Sequence, residues 1–118
     1  MGKALVETYP EARAAFEEAD AAFADAEHPS PSLSELCFQG PEARLTLTEI
    51  QQPAILTVSI AACRVLATKG LRPALVAGHS LGEYSANVSA GTFAPRDAGP
   101  SVRRRGRFLQ EAVPVGEG

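Results

Sequence analysis

The stretch Gly78-His79-Ser80-Leu81-Gly82-Glu83 constrains this chain more than any other. Four apolar residues, Ala74-Leu75-Val76-Ala77, run into it, and a helix-compatible stretch over residues 83–90 runs out of it. A strand, a sharp turn bearing a serine between two glycines, and a helix together make the context of a nucleophile elbow. In so tight a turn, Cβ atoms at Gly78 and Gly82 are expected to collide with the neighbouring strand and helix. The serine should stand proud with its hydroxyl exposed. Because it opens a helix, the N–H groups of Leu81 and Gly82 are expected to point into the space beside it, where they and the helix dipole stabilise an oxyanion. The bare pattern also arises in small-residue turns without chemistry; the flanking strand and helix favour the elbow.

Upstream, residues 10–26 read as an amphipathic helix. Pro10 suits its first position, and Ala12, Ala15, Phe16, Ala19, Ala22, Phe23 and Ala26 recur at helical spacing opposite an acidic face. His28-Pro29-Ser30-Pro31-Ser32 ends it, with His28 read as a surface loop residue. A short helical turn is expected from Ser32 to Cys37, closed by Gly40-Pro41. Residues 49–69 form the second long helix, with Pro53 in its first turn and Gly70 at the C-cap. It is apolar on nearly every face, as in a helix buried between layers. Gln51 and Gln52 at its mouth either line a site or serve only as polar entry residues.

This alternation implies a parallel α/β sheet with helices on both faces. One strand is not a sheet, however, so strands that pair with residues 74–77 are expected beyond those legible here. Past the elbow helix, Gly91 provides a C-cap and Pro95 opens another helix. Gly99 and Pro100 are expected to interrupt it, at a cost of about 3 kcal/mol for proline in a helix interior. Residues 102–110 then resume as a helix carrying an arginine cluster, and 114–118 read as a connection.

The 118 residues suit one small domain, and a net charge of −3 gives no bulk case for nucleic-acid binding. The charge is uneven: residues 1–30 hold two basic and seven acidic residues, and residues 96–107 hold five arginines and one aspartate. Cys37 and Cys63 fit no metal or redox spacing and read as free thiols of a reducing cytoplasm. No metal site is expected. No stretch is read as long and apolar enough to span a membrane, and the first residues lack a signal-peptide core or a myristoylation pattern.

Gly78-His79-Ser80-Leu81-Gly82-Glu83-Tyr84-Ser85 resembles the nucleophile motif of bacterial malonyl-CoA:acyl-carrier-protein transacylases. So do Tyr9-Pro10-Glu11-Ala12-Arg13, Leu47-Thr48-Glu49, Gln52-Pro53-Ala54-Ile55-Leu56, Arg105-Gly106-Arg107-Phe108 and Gln110-Glu111-Ala112-Val113-Pro114, in the family's order over nearly the whole chain. The resemblance implies a partial three-layer parallel-sheet core of the acyltransferase, α/β-hydrolase-like type. It lacks the first strand, the ferredoxin-like subdomain and the C-terminal core. It also implies ping-pong malonyl transfer from malonyl-CoA to acyl carrier protein in fatty-acid biosynthesis, with the CoA thioester as substrate and no resident cofactor.

By that resemblance Ser80 is the nucleophile and the Leu81 N–H an oxyanion donor. Arg105, 25 positions after the serine, pairs with the malonyl carboxylate, and His79 and Gln52 flank the pocket. A planar guanidinium grips a carboxylate with two parallel hydrogen bonds, and an acetyl group would leave the charge unpaired. The bland reading of Arg103, Arg104 and Arg107 is a solvated face; attraction for an acidic carrier protein or for CoA phosphates is the sharper one. The family's base histidine and second oxyanion donor match no residue here, so little turnover by this chain alone is expected. Departures from the family pattern gather at Asn87, Gly99, Pro100, Ser101 and Arg104, just upstream of Arg105. The alternatives are a non-catalytic piece that binds CoA or carrier protein, the acyltransferase domain of a polyketide synthase and, less well supported, an esterase.

Overall fold

Helix 10–26 begins as its residues require. In the computed structural model, which describes residues 1–24 and 31–113, Pro10 stands at the first helical position and Ala12, Ala15, Phe16 and Phe23 are buried along one stripe. The end of that stretch, His28, and residues 114–118 lie outside the described residues. The elements run α1 (Lys3–Thr8), α2 (Pro10–Phe23), α3 (Leu33–Gln39), α4 (Glu42–Leu45), α5 (Thr48–Thr68), α6 (Leu81–Ser89) and α7 (Pro95–Ala112). The short turn expected after Ser32 is α3, started by a capping box in which Ser32 and Glu35 each accept the other's backbone N–H. Asp20 of α2 accepts the Ser34 N–H at 2.8 Å and so ties α3 to α2.

Among the described residues there is no strand. Residues 74–77 lie in irregular, exposed backbone, Leu75 is 93% exposed, and the backbone groups of 72–78 make no hydrogen bond among the described residues. An extended segment becomes a strand only through its ladder, and no described segment lies alongside to provide one. The parallel sheet expected from the sequence is therefore not present among these residues.

One face of α5 is the centre of the helical body. Ile50, Ala54, Ala61 and Val65 close the core shared with α2 and α3, while Leu56 joins Ala98 and Val102 of α7 in a second cluster bordered by Tyr84, Val88 and Phe93. The opposite face is open, contrary to burial on every side: Ile55 and Leu66 are exposed. A groove of about 900 Å³ runs between that face and α6, walled by Leu71, Leu75 and Val88. At 21 residues, α5 is also long and apolar enough to cross a membrane by length and composition, which the sequence reading had excluded. Here it packs as a core helix against α2 and α7.

The expected break at Gly99-Pro100 does not occur, and α7 is continuous from Pro95 to Ala112. Pro100 lies five residues after the helix start, as Pro53 does in α5, so each sits past the first turn and loses the intrahelical bond to the carbonyl four residues back. Ala98 and Val102, both fully buried against α5, hold the helix across that point. Arg103 is not part of a solvated face: its guanidinium lies 4.1 Å from the Phe23 ring centroid and donates to the Phe23 carbonyl at 2.6 Å. It thereby satisfies a carbonyl left open at the end of α2. On the surface, Arg64 grips Glu18 through two bonds of 3.0 and 2.7 Å, and that pairing holds the Glu18 carboxyl below its usual range.

Two outcomes follow from this packing. A methyl added at Gly99 would meet Ala22 Cβ at 3.6 Å, an ordinary contact, but in helical backbone it also crowds the ring of the following Pro100, so Gly99→Ala should fall short of the roughly 1 kcal/mol that helix propensity alone gives, read from urea unfolding. Burial pushes the Cys37 thiol up to about 11, whereas Cys63 is exposed. At pH 8 a thiol reagent should therefore label Cys63 alone, with Cys37 reacting only on unfolding or as the pH approaches that value.

Candidate functional site

The turn before α6 is as tight as the motif requires. A Cβ at Gly78 would stand 2.0 Å from the carbonyl carbon and oxygen of Gly82, so no side chain fits there. Gly82 differs from the expectation: a Cβ there meets open space, and the crowding falls on Gly78 alone. Between them Ser80 has φ 54° and ψ −112°, the one described non-glycine residue with positive φ. Backbone of that kind costs about 1–3 kcal/mol in an L-residue. It presents Ser80 at the N-cap of α6.

Of the two N–H groups expected beside the hydroxyl, one is already used. The Gly82 N–H donates to the His79 carbonyl at 2.8 Å. The Leu81 N–H, at the first helical position, has no acceptor among the described residues and carries the positive end of the α6 dipole. His79 is exposed, and among the described residues no hydrogen bond joins its imidazole to Ser80.

Arg105 reaches the same point from α7. Its Nη2 donates to Ser80 Oγ at 2.7 Å, and its Nη1 donates to Gln52 Oε1 from α5. The guanidinium carbon lies 5.9 Å from the centroid of the Tyr84 ring on α6. Residues from α5, α6 and α7 thus converge on one cation, which the uninterrupted α7 holds in place. Arg105 is partly buried and has no carboxylate partner among the described residues. A planar five-donor fork held by two neutral oxygens suits an incoming carboxylate, which offers charge as well as two acceptors. Arg104 is exposed, and Arg107 lies 3.6 Å from Glu49. Among the described residues no cluster of three or more His, Cys, Asp or Glu could hold a metal ion.

Gly106 and Gln110 belong to this assembly although the sequence reading gave them no role. A Cβ at Gly106 would stand 2.7 Å from the Thr48 carbonyl oxygen, so α7 touches the start of α5 through bare backbone. Gln110 Oε1 accepts the Thr48 N–H at 3.0 Å. The available signal was a glycine inside a helical pattern beside the candidate clamp, since such glycines mark close approach.

An elbow serine with a free helical N–H on one side and a guanidinium on the other is an arrangement suited to acyl transfer onto a serine. The chain belongs to the acyl transferase domain family, whose description matches residues 1–118. It is 49% identical over its full length to a malonyl CoA-acyl carrier protein transacylase of Bacillus subtilis, covering 35% of that protein. The crystal structure of an acyl-carrier-protein S-malonyltransferase from Bartonella henselae matches 98% of the chain with a TM-score of 0.86 and 46% identity, over 36% of its own length. A polyketide synthase of Streptomyces halstedii is 41% identical over 116 residues, 98% of the chain and 2% of the synthase. The chain therefore spans about a third of the malonyltransferases it matches.

The strain at Ser80 can be measured. Ser80→Ala keeps the side-chain penalty at positive φ, whereas Ser80→Gly removes it, so the glycine variant should exceed the alanine variant in stability by about 1–3 kcal/mol in urea unfolding.

Proposed function

We propose that this chain carries the nucleophile and the acyl-carboxylate clamp of a malonyl-CoA:acyl-carrier-protein transacylase of fatty-acid biosynthesis. The observation that supports this reading is Arg105, a half-buried cation without a carboxylate partner among the described residues, 2.7 Å from the strained Ser80 hydroxyl. Ser80 Oγ attacks the thioester carbonyl of malonyl-CoA. The oxyanion takes a hydrogen bond from the Leu81 N–H, and the C–S bond breaks to release CoA thiol and leave malonyl-Ser80. The phosphopantetheine thiol of the carrier protein then attacks that ester and regenerates the serine. Arg105 holds the distal carboxylate through both steps, with Gln52 fixing one edge of its fork and Tyr84 beneath it. An acetyl group gives the guanidinium nothing to replace the water it loses, which favours malonyl.

The serine proton needs an acceptor, and no base is hydrogen-bonded to Ser80 Oγ among the described residues. The adjacent His79 faces solvent and is read as a flanking residue. Loss of a triad-type base lowers turnover by orders of magnitude, so slow acylation is expected of these residues alone. In the same reading residues 74–77 are a strand of a parallel sheet of the acyltransferase type, the groove along α5 is where that sheet rests, and the protein is cytoplasmic with no resident cofactor. A second reading, the acyltransferase domain of a polyketide synthase, has the Streptomyces match in its favour. It shares the acylation step and differs in the carrier domain served. A third, binding of CoA or carrier protein without catalysis, has in its favour the absence of a base at Ser80 among the described residues.

Intact-mass analysis of the folded chain incubated with malonyl-CoA should show one malonyl adduct that is lost in Ser80→Ala. Arg105→Ala should slow its formation by about 100-fold, near 2.7 kcal/mol of transition-state binding, and should abolish the preference over acetyl-CoA. No adduct on a folded chain would support the non-catalytic reading. Transfer onto a free carrier protein would favour the stand-alone transacylase over the synthase domain.

A further inference from the structure

We infer that Gln110 is a positioning residue for Arg105, acting through a clasp between the last turns of α7 and the first turn of α5. The inference rests on the reading that Arg105 receives an acyl carboxylate. Thr48 is the first residue of α5, so its N–H has no intrahelical acceptor. Gln110 Oε1 takes that N–H at 3.0 Å across 62 residues of sequence. The cap of α5 is thus supplied by another helix, which makes it a tie between the two.

Gly106, one turn before Gln110, fixes the separation. A Cβ there would stand 2.7 Å from the Thr48 oxygen and 2.8 Å from Glu49 Cα, so the backbones sit at the closest approach that glycine allows. With the separation set by Gly106 and the register set by Gln110, α7 can neither slide nor roll on the α5 entrance without breaking one contact. Gln52 lies one turn into α5 from Thr48, and Arg105 is adjacent to Gly106. The bonds from Arg105 to Gln52 and Ser80 therefore depend on a register set one turn away. Gln110 touches neither the serine nor the clamp and acts only through the helix pair.

The test reads Arg105 directly. In the NMR spectrum of the chain, the guanidinium N–H resonances that vanish in Arg105→Lys report its bonds to Gln52 and Ser80 without any ligand. Gln110→Ala should move them toward the position of free arginine and weaken malonate binding by about 2- to 30-fold, the range typical of coupling through packed elements. Gln110→Glu, which keeps an acceptor, should retain both. Thr48→Pro removes the N–H that Gln110 accepts, together with a hydroxyl that makes no hydrogen bond among the described residues: proline is favoured at the first helical position, and Leu47 already has the extended backbone it needs, φ −63° and ψ 129°. It should reproduce Gln110→Ala in a folded chain, and it decides the matter if Gln110→Ala fails to fold. Arg105 resonances unmoved in Thr48→Pro, or displaced as far in Gln110→Glu as in Gln110→Ala, would overturn the clasp. Resonances that move as expected in a chain that never binds malonate would leave the clasp standing and count against the carboxylate reading.

Discussion

The seating of α7 on α5 is the contact on which the rest of the site depends. Ser80 is delivered by a turn and Arg105 by a helix that starts fifteen residues later, and nothing in the local chain brings them together. Both α6 and α7 rest on α5, through Tyr84 and Val88 on one side and Ala98 and Val102 on the other. At Gly106 the approach is so close that backbone meets backbone. The 2.7 Å bond between Arg105 and Ser80 is a consequence of that packing.

Much of this was legible in the sequence, for reasons that differ from residue to residue. The elbow could be read because Gly78 has a local cause, a turn with no room for Cβ. Gln52 was legible only as a polar residue at a helix mouth, and Arg105 emerged only from family resemblance, since their meeting spans three helices. The α7 break was expected because Gly99-Pro100 is a poor helix interior by propensity. The helix persists because Val102 and Ala98 bury fully on α5. Arg103 looked like one more solvated charge, and only the tertiary fold places the Phe23 carbonyl in front of it. Gly82 was expected to be crowded by the tightness of the turn, yet its Cβ direction points into open space. The strand at 74–77 fails for a different reason: strand character belongs to a pair, and no described segment supplies the other half.

The open face of α5 lies beside residues 72–78, whose backbone is unpaired among the described residues. The 21-residue apolar helix α5 leaves Leu66 exposed toward a groove walled by Leu71 and Leu75, a face that the sheet of the proposed reading would cover. A chain that spans about a third of its malonyltransferase relatives can present such a face without any defect in its own packing. The core between α2, α3 and α5 closes by itself, and Leu33 and Leu36 are buried to 1%.

Two features of the site work against stability, and they adjoin each other. Ser80 occupies backbone that glycine would hold at less cost, and Arg105 brings a charge into partly buried surroundings with only neutral oxygens to receive it. A fold selected for stability alone would place glycine at the turn and an apolar side chain or an ion pair on α7. Both departures make sense together if the missing partner is an acyl group with a free carboxylate: its carbonyl would draw on the strained serine, and its charge would complete the guanidinium. The helical body pays for neither locally. Fully buried Ala98 and Val102 hold α7 on α5, the Gly106 contact sets how close it comes, and those rigid neighbours let a strained nucleophile and an unmatched cation persist side by side.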